Sequence, residues 1–318
     1  MSIKALLSGA DGADESIDLR AWKRRAIAKH ELLWVDAQGP DADERGLIRD
    51  ALQLDDDTAH CLEADIGRPD AMVHTNATEI RIILPPTEND AKPIPLRILV
   101  GDGWIITSHA ERASFLEEHR ERIRDERQVG QLTPIQFLAS LLDWQVDSFF
   151  AAADRLENEV DELDDAALRT DRDILDRLVA MRRRVARIRR LLSPHRELYA
   201  ELSRPDFFGQ LEPSEADALA SLAGRLDRAG EAIGHAREML IGTFDVHMTR
   251  TAQRTNDTMK VLTLASVILL PSVVLAGVMG MNFKVGLFDN PSMFWVVIGL
   301  MLVMAVVTLS VARWRRWL

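Results

Sequence analysis

The chain has 318 residues, enough for one large domain or two ordinary ones, and its formal net charge is −11. Residues 258–318 hold five Lys or Arg and one acid, a net +4, so residues 1–257 carry −15. That acidity argues against a nucleic-acid partner and suits either a protein that handles cations or a domain kept soluble by its charge. The single cysteine, Cys61, excludes an internal disulfide and favours a reducing compartment.

Residues 1–130 are predicted to form a cytoplasmic α/β domain. Between its first two strands, Asp41–Leu52 has the acidic start and apolar spacing of a helix. Near its end, Gly101-Asp102-Gly103 separates two apolar runs and is typical of a β-hairpin. Short strand patterns occur at residues 32–36, 72–74, 79–84, 96–100 and 104–107.

Residues 131–212 are predicted to form a charged antiparallel helix hairpin. Thr133-Pro134 is an N-cap followed by proline at the first helical position, and that helix is expected to end near Leu168. A second helix follows, with a kink or break expected at Pro194. Acids crowd the end of the first helix and arginines lie on the second. These charges fit ion pairs across the hairpin, or an acidic tip near the membrane that gathers cations.

Residues 213–259 are predicted to form a stalk helix that begins at Pro213, with Ser214 and Asp217 as a capping box. Its apolar residues alternate spacings of three and four, typical of a helix that packs along its length. No strong break precedes the apolar run that follows, so the helix is expected to reach Asn282, a length of about 105 Å. Copies of the same chain are the natural packing partners for so long a helix.

Two uncharged runs of 23 residues follow, one between Lys260 and Lys284 and one at residues 290–312. At about 1.5 Å per residue, each can cross a hydrocarbon core of about 30 Å. Basic residues precede the first run and follow the second, and the N-terminus has no apolar core of signal-peptide length. We therefore expect a multi-pass protein of the inner (plasma) membrane with both termini cytoplasmic. The predicted segments are a first transmembrane helix at 260–283, an external loop at 284–291, a second transmembrane helix at 292–312 and a basic cytoplasmic tail at 313–318.

The first span contains Pro271 and ends in Gly280-Met281-Asn282-Phe283. This run resembles the CorA family of divalent-cation channels, two-span proteins with a Gly-x-Asn signature. Trp34-Val35-Asp36 and Arg68-Pro69 resemble the family's cytoplasmic domain. Further matching positions are Asn256, Met259-Lys260, Leu262-Thr263 and Ala276-Gly277.

The resemblance implies an α+β cytoplasmic domain, a long stalk helix and two transmembrane α-helices. It also implies a funnel-shaped homo-oligomer, a pentamer. Two spans alone cannot enclose a water-filled path, so conduction needs several copies around an axis. The expected substrates are divalent cations, with Mg²⁺ first and Co²⁺ and Ni²⁺ as further candidates. The expected partners are copies of the same chain and membrane lipid, with no cofactor. An enzymatic role has no support, since the chain shows no nucleophile–base motif or phosphate loop.

The resemblance assigns roles to individual residues. Gly280, Met281 and Asn282 would form the pore mouth, where a ring of carboxamides can bind a hydrated cation without holding it tightly. Asp245 would bind a regulatory divalent cation between subunits. The expected pore-lining residues are Asn256, Met259, Leu262, Leu270 and Val273. Arg313, Arg315 and Arg316 would anchor at the headgroups or form a basic collar around the pore.

Two departures from the family's pattern leave the cation open. Met279 stands where Mg²⁺ channels of the family usually have tyrosine, and the loop lacks the usual acidic collector, for which Asp289 substitutes in part. Lys284 would place positive charge near the mouth. The ZntB branch, associated with Zn²⁺, is the nearest alternative, although the sequence shows no Cys/His cluster. A non-conducting, membrane-anchored interaction protein is the other alternative.

Overall fold

The computed structural model describes residues 3–9, 14–22, 27–28, 30–62, 67–86, 92–111, 113, 116–117, 120, 132–168, 173–204, 206–209, 211–281 and 292–314. The chain divides into two compact units, residues 1–243 and 244–318. We refer to them as the N-terminal unit and the C-terminal unit.

The N-terminal unit contains a sheet of seven described strands in the order β2-β1-β3-β7-β6-β5-β4. Neighbouring strands are antiparallel except β3 and β7, which are parallel. The predicted hairpin is confirmed between β6 and β7, where Gly103 adopts a φ of 76° that favours glycine. The strands are β1 Ile3–Ser8, β2 Asp14–Ile17, β3 Leu32–Gln38, β4 Asp70–Val73, β5 Thr78–Leu84, β6 Ile94–Gly101 and β7 Trp104–His109.

Both faces of this sheet are buried, since successive side chains along a strand point to opposite faces. On one face, Ile80, Ile82 and Ile98 join a large core that extends into the helices. On the other, Leu99 and Ile106 join a smaller core with α1 (Ala42–Leu52) and α2 (Asp56–Cys61). The sheet therefore separates two short helices from a layer of long ones.

Three long helices pack on the larger core: α3 (Pro134–Leu168), α4 (Ile174–Leu202) and the first part of α5 (Pro213–Met279). The two helices α3 and α4 run antiparallel. Near the start of α3, the Tyr199 hydroxyl donates to the Leu142 carbonyl at 3.0 Å, and near its end Arg184 pairs with Glu159. That second contact is one of the ion pairs expected across the hairpin.

Two local expectations prove wrong: the capping of α5 by Ser214 and Asp217, and a break of α4 at Pro194. The start of α5 is capped through Glu215, whose carboxylate accepts from the Glu212 N–H at 3.0 Å and from the Thr133 hydroxyl, whereas Ser214 and Asp217 had been expected. Pro194 lies inside α4 without ending it. The packing of α4 on the core outweighs the one backbone hydrogen bond that a proline removes.

The C-terminal unit contains the rest of α5 and α6 (Ser292–Trp314). Both helices are long and apolar enough to cross a membrane, and neither apolar window is buried within the chain. Pro271 lies within α5, which continues to Met279 as one helix. Soluble helices seldom leave so much apolar surface uncovered, so both are suited to a lipid environment.

Candidate functional site

The five expected pore-lining residues, which we call the stripe residues, all lie in α5 and are exposed. At about 100° of rotation per residue, their positions fall within an arc of about 120° of the helix. The apolar stripe residues are 56% (Met259), 61% (Leu262), 66% (Leu270) and 65% (Val273) exposed. The chain thus leaves uncovered the helix face that the resemblance assigns to the pore.

The opposite side of α5 is partly buried. Its half-buried residues lie roughly across the helix from the stripe residues, and they are Leu264, Ile268, Pro271, Ser272, Leu275 and Met279. In the same unit, the buried and half-buried residues of α6 also lie along a single face, and they are Met293, Val297, Ile298, Met301, Met304, Ala305, Thr308 and Ala312. We infer that these two faces pack together, because α5 and α6 are the helices described in this unit.

The first span ends close to where the signature begins. The Gly280 N–H donates to the Ala276 carbonyl at 2.9 Å, and the Met281 N–H donates to Val278 at 3.3 Å, in the last turn of α5. Gly280 does not adopt a positive φ, and Met281 is exposed. The structure therefore presents the first two signature residues at the end of the helix. Of the other residues expected at the site, Asn282, Lys284, Asp289, Arg315 and Arg316 lie outside the described residues.

The remaining expected site residues occupy the two ends of the C-terminal unit. Asp245 is exposed, and eleven residues, about three helical turns, separate it from Asn256, so both lie on the same side of α5. Arg313 is exposed in the last turn of α6. Between Asp245 and the span, Lys260 forms an ion pair with Asp257 at 3.1 Å.

Sequence reasoning missed a cluster in the N-terminal unit. Cys61, His74 and Glu79 bring one sulfur, one ring nitrogen and one carboxylate oxygen within 4.8 Å of one another. Burial, followed by the charge of Glu79, raises the pKa of the Cys61 thiol to about 11. The expectation that the chain has no Cys/His cluster is therefore wrong. Because Cys61 and His74 are 13 positions apart, with β4 between them, no spacing motif reveals the pair.

The buried His195 has a structural explanation. His195 accepts from the Ile83 N–H at 3.0 Å through Nε2, and its Nδ1 lies 2.6 Å from the Leu191 carbonyl. Burial lowers the pKa of His195 to about 4, although the Leu191 carbonyl acts in the other direction. The ring is therefore neutral and satisfied on both nitrogens, joining α4 to β5.

Together, the buried α/β sheet, the long helix α5 and the uncovered apolar segments of α5 and α6 define a membrane protein with two candidate spans. Residues 29–313 match the family model of the CorA-like Mg²⁺ transporter protein. The chain belongs to this family, which confirms the resemblance. Since its members are ion transporters, the expectation that the chain is not an enzyme is confirmed as well.

Among characterised relatives, the chain is 28% identical over 206 residues to the cobalt/magnesium transport protein CorA of Thermotoga maritima. That match covers 63% of this chain and 57% of the relative. It is 22% identical over 304 residues to the protein of the same name from Methanocaldococcus jannaschii, covering 91% of this chain and 92% of that one.

The solved structures agree on the fold. The CorA magnesium transporter of M. jannaschii aligns with a TM-score of 0.84 at 20% identity, covering 99% of this chain and 98% of that one. The ZntB cytoplasmic domain of Vibrio parahaemolyticus aligns with a TM-score of 0.62 at 16% identity, covering 80% of this chain and 100% of that domain. The α/β domain, long helix and two apolar helices expected from the sequence are thus confirmed.

Proposed function

We propose that the chain is a channel or facilitator that moves divalent cations across the inner or plasma membrane, through a pore lined by the membrane part of α5. The observation that carries the proposal is the asymmetry of α5. Its stripe residues are exposed, whereas the opposite face is partly buried in the same unit. Such a helix can line an axis with one face while α6 packs behind it.

The pore requires several copies of the chain, because two helices leave no water-filled path between them. We propose a ring, a pentamer by the family resemblance, in which the stripe residues of neighbouring copies face one another. Methionine, leucine and valine at these positions form an apolar constriction that gates by dewetting. In this arrangement α6 faces lipid, which suits its exposed apolar residues, and both chain termini are cytoplasmic.

We propose that Gly280, Met281 and Asn282 form the mouth of this pore. Mg²⁺ loses its water shell reluctantly, so a ring of neutral carboxamide oxygens can select the hydrated ion and still release it. Asp245 supplies a carboxylate ring further along the same side of α5, where a bound divalent cation would hold the copies together. Loss of that cation shifts the population towards the open state.

Mg²⁺ is the first candidate substrate, since both named CorA relatives are cobalt/magnesium transport proteins. Zn²⁺ is the second, because Lys284 places a positive charge two residues beyond Asn282, where Mg²⁺ channels of the family carry acids. A ring of lysines disfavours a cation that enters with its full charge and water shell. The two candidates differ in a measurable selectivity.

The decisive experiment measures ion entry into liposomes that contain the purified protein, with Mg²⁺, Co²⁺, Ni²⁺ and Zn²⁺ compared at equal concentration. We expect Mg²⁺ flux that Asn282→Ala lowers by at least about tenfold, since the ring loses its ion-facing oxygens. Asn290→Ala, the same change in the segment before α6, serves as the control and should retain flux.

The other outcomes are informative. Zn²⁺ flux without Mg²⁺ flux would move the protein to the zinc branch. No flux of any of the four ions, from protein that remains oligomeric in the membrane, would contradict the channel and favour the membrane-anchored interaction protein.

A further inference from the structure

The cluster of Cys61, His74 and Glu79 lies at the β4 edge of the sheet, on the face that carries α1 and α2. Cys61 is the last residue of α2, His74 directly follows β4, and Glu79 lies in β5. The turn between β4 and β5 is held by the His74 N–H, which donates to the Ala77 carbonyl at 2.8 Å. Three separate elements thus converge on one point.

The distances within the cluster match those of a tetrahedral metal site. A tetrahedral Zn²⁺ has bonds of about 2.3 Å to sulfur and about 2.0–2.2 Å to nitrogen or oxygen, so its ligand atoms lie about 3.4–3.6 Å apart. The Cys61 Sγ lies 3.4 Å from His74 Nε2. The same nitrogen lies 3.5 Å from Glu79 Oε2. Two of the three distances between the ligand atoms are therefore already those expected around a bound ion.

The surroundings orient the carboxylate for such a role. Arg97 donates to Glu79 Oε1 at 2.7 Å, which leaves the other oxygen, Oε2, directed at the histidine. The Arg97 and Glu79 side chains are only 3% and 5% exposed, so this geometry is held by the core. Carboxylates that bind a metal are usually held by hydrogen bonds from outer-shell residues, as Arg97 holds Glu79.

We propose that Cys61, His74 and Glu79 bind one borderline-soft divalent cation of the Zn²⁺ or Co²⁺ type within the N-terminal unit. Thiolate and imidazole favour such ions and disfavour Mg²⁺, which requires oxygen ligands in an octahedron. Three protein ligands leave one tetrahedral position for solvent. On binding, the Cys61 thiol releases its proton to water and its sulfur forms a bond to the metal.

The bound ion would join the end of α2 to the β4–β5 turn. A ligand that binds the folded chain and not the unfolded one stabilises the fold by mass action, so the melting temperature should rise with Zn²⁺. The site is separate from the stripe residues, which lie in the C-terminal unit. It does not require that the protein conduct ions, so it stands independently of the function proposed above.

The test uses Co²⁺ as a spectroscopic probe of the purified full-length protein in detergent. Because Cys61 is the single cysteine of the chain, any thiolate-to-cobalt charge-transfer band must arise from it. We expect one Co²⁺ per chain with this band, displaced by stoichiometric Zn²⁺ and retained in a large excess of Mg²⁺. Cys61→Ser should abolish the band, and His74→Ala should weaken binding at least about a hundredfold, since even outer-shell losses cost about 10- to 100-fold.

His235→Ala is the matched control, because His235 lies in α5 and pairs with Glu157 at 3.4 Å, outside the cluster. It should leave the band and the affinity unchanged. X-ray absorption of the zinc-loaded wild type needs no variant and should show one sulfur ligand among nitrogen and oxygen. An all-oxygen shell, absence of the charge-transfer band, or displacement by Mg²⁺ as effective as by Zn²⁺ would overturn the proposal.

Discussion

Ile83 shows how single side chains complete the sheet where a strand ends. Its partner in β6 is Pro95, which has no N–H, and β4 does not reach it, since the first residue of β4, Asp70, pairs with Arg81. The backbone groups of Ile83 are satisfied by helix side chains: its N–H donates to His195, and its carbonyl accepts from Gln145 at 3.2 Å. An unpaired buried backbone group would cost about 1–3 kcal/mol, so these contacts fasten the long helices to the sheet.

His195 should make stability depend on pH. Its folded pKa of about 4 is below the ordinary value of 6.5, so the unfolded chain binds the proton more readily. The stabilisation is therefore complete above pH 6.5 and is lost as pH falls towards 4, by up to about 3 kcal/mol for one such group. The melting temperature of the purified protein should therefore fall as the pH is lowered across this range, because the unfolded chain binds one more proton than the folded chain does.

His195→Gln is the comparison for this prediction, since an amide can accept from Ile83 and donate to Leu191 but does not titrate. Between pH 6.5 and 4, the wild type should lose more stability than the variant does. Parallel curves for the two proteins would contradict the assigned role. Other titrating groups are common to both and cancel in the difference.

At the scale of helices, the glycines of α5 are not equivalent. The periodic apolar residues Leu219, Leu222, Leu226 and Ile233 are buried as the spacing predicts. A methyl group on Gly230 would lie 2.9 Å from the Leu192 side chain and closer still to Arg196 of α4, whereas one on Gly224 would meet nothing within 4 Å. Close helix approach therefore requires glycine at only one of these two positions.

The two glycines should respond in opposite directions to the same substitution. Gly224→Ala should stabilise the protein by roughly 0.5–1 kcal/mol, because alanine favours a helix over glycine. Gly230→Ala should destabilise it by about 1–3 kcal/mol, because Leu192 and Arg196 must shift to admit the methyl group. Denaturant or thermal unfolding of both variants checks the signs, and stabilisation by Gly230→Ala would contradict the close packing of α4 on α5.

At the scale of the whole molecule, the C-terminal unit leaves apolar surface uncovered by the rest of the chain. The stripe residues account for one side of it, and α6 carries much of the remainder. Lipid can cover such apolar surface. It does not explain why the exposed side of α5 also carries the polar residues Asp245 and Asn256. Polar residues in or near a span more often face a protein interior or a water-filled path than lipid.

Cysteine cross-linking can test whether copies of the chain associate through the side of α5 that carries the stripe residues. Leu270 and Val261 are 66% and 68% exposed and lie on opposite sides of α5. In a Cys61→Ser background, Leu270→Cys should form disulfide-linked dimers in the membrane, because the proposed ring brings that face of neighbouring copies together. Val261→Cys should form few. Equal cross-linking at both positions, or none at Leu270→Cys, would contradict the proposed orientation of α5.

Local properties of the sequence were enough to predict the two apolar helices, the antiparallel pair of helices and the long helix α5. An uncharged run of 23 residues and an apolar spacing of three and four depend only on near neighbours along the chain. The family could be recognised from the sequence for the same reason, since its signature is a short contiguous run at the end of the first apolar segment.

The tertiary structure decided what depends on distant residues. The strand order, the hydrogen bond from Thr133 to Glu215 and the close approach of α4 to Gly230 all arise from contacts between elements that are separate in sequence. The Cys61–His74–Glu79 cluster is of the same kind, because α2, β4 and β5 come together only when α2 packs on the face of the sheet. The spacing of residues along the chain does not reveal contacts between distant elements, so this cluster could be identified only from the folded structure.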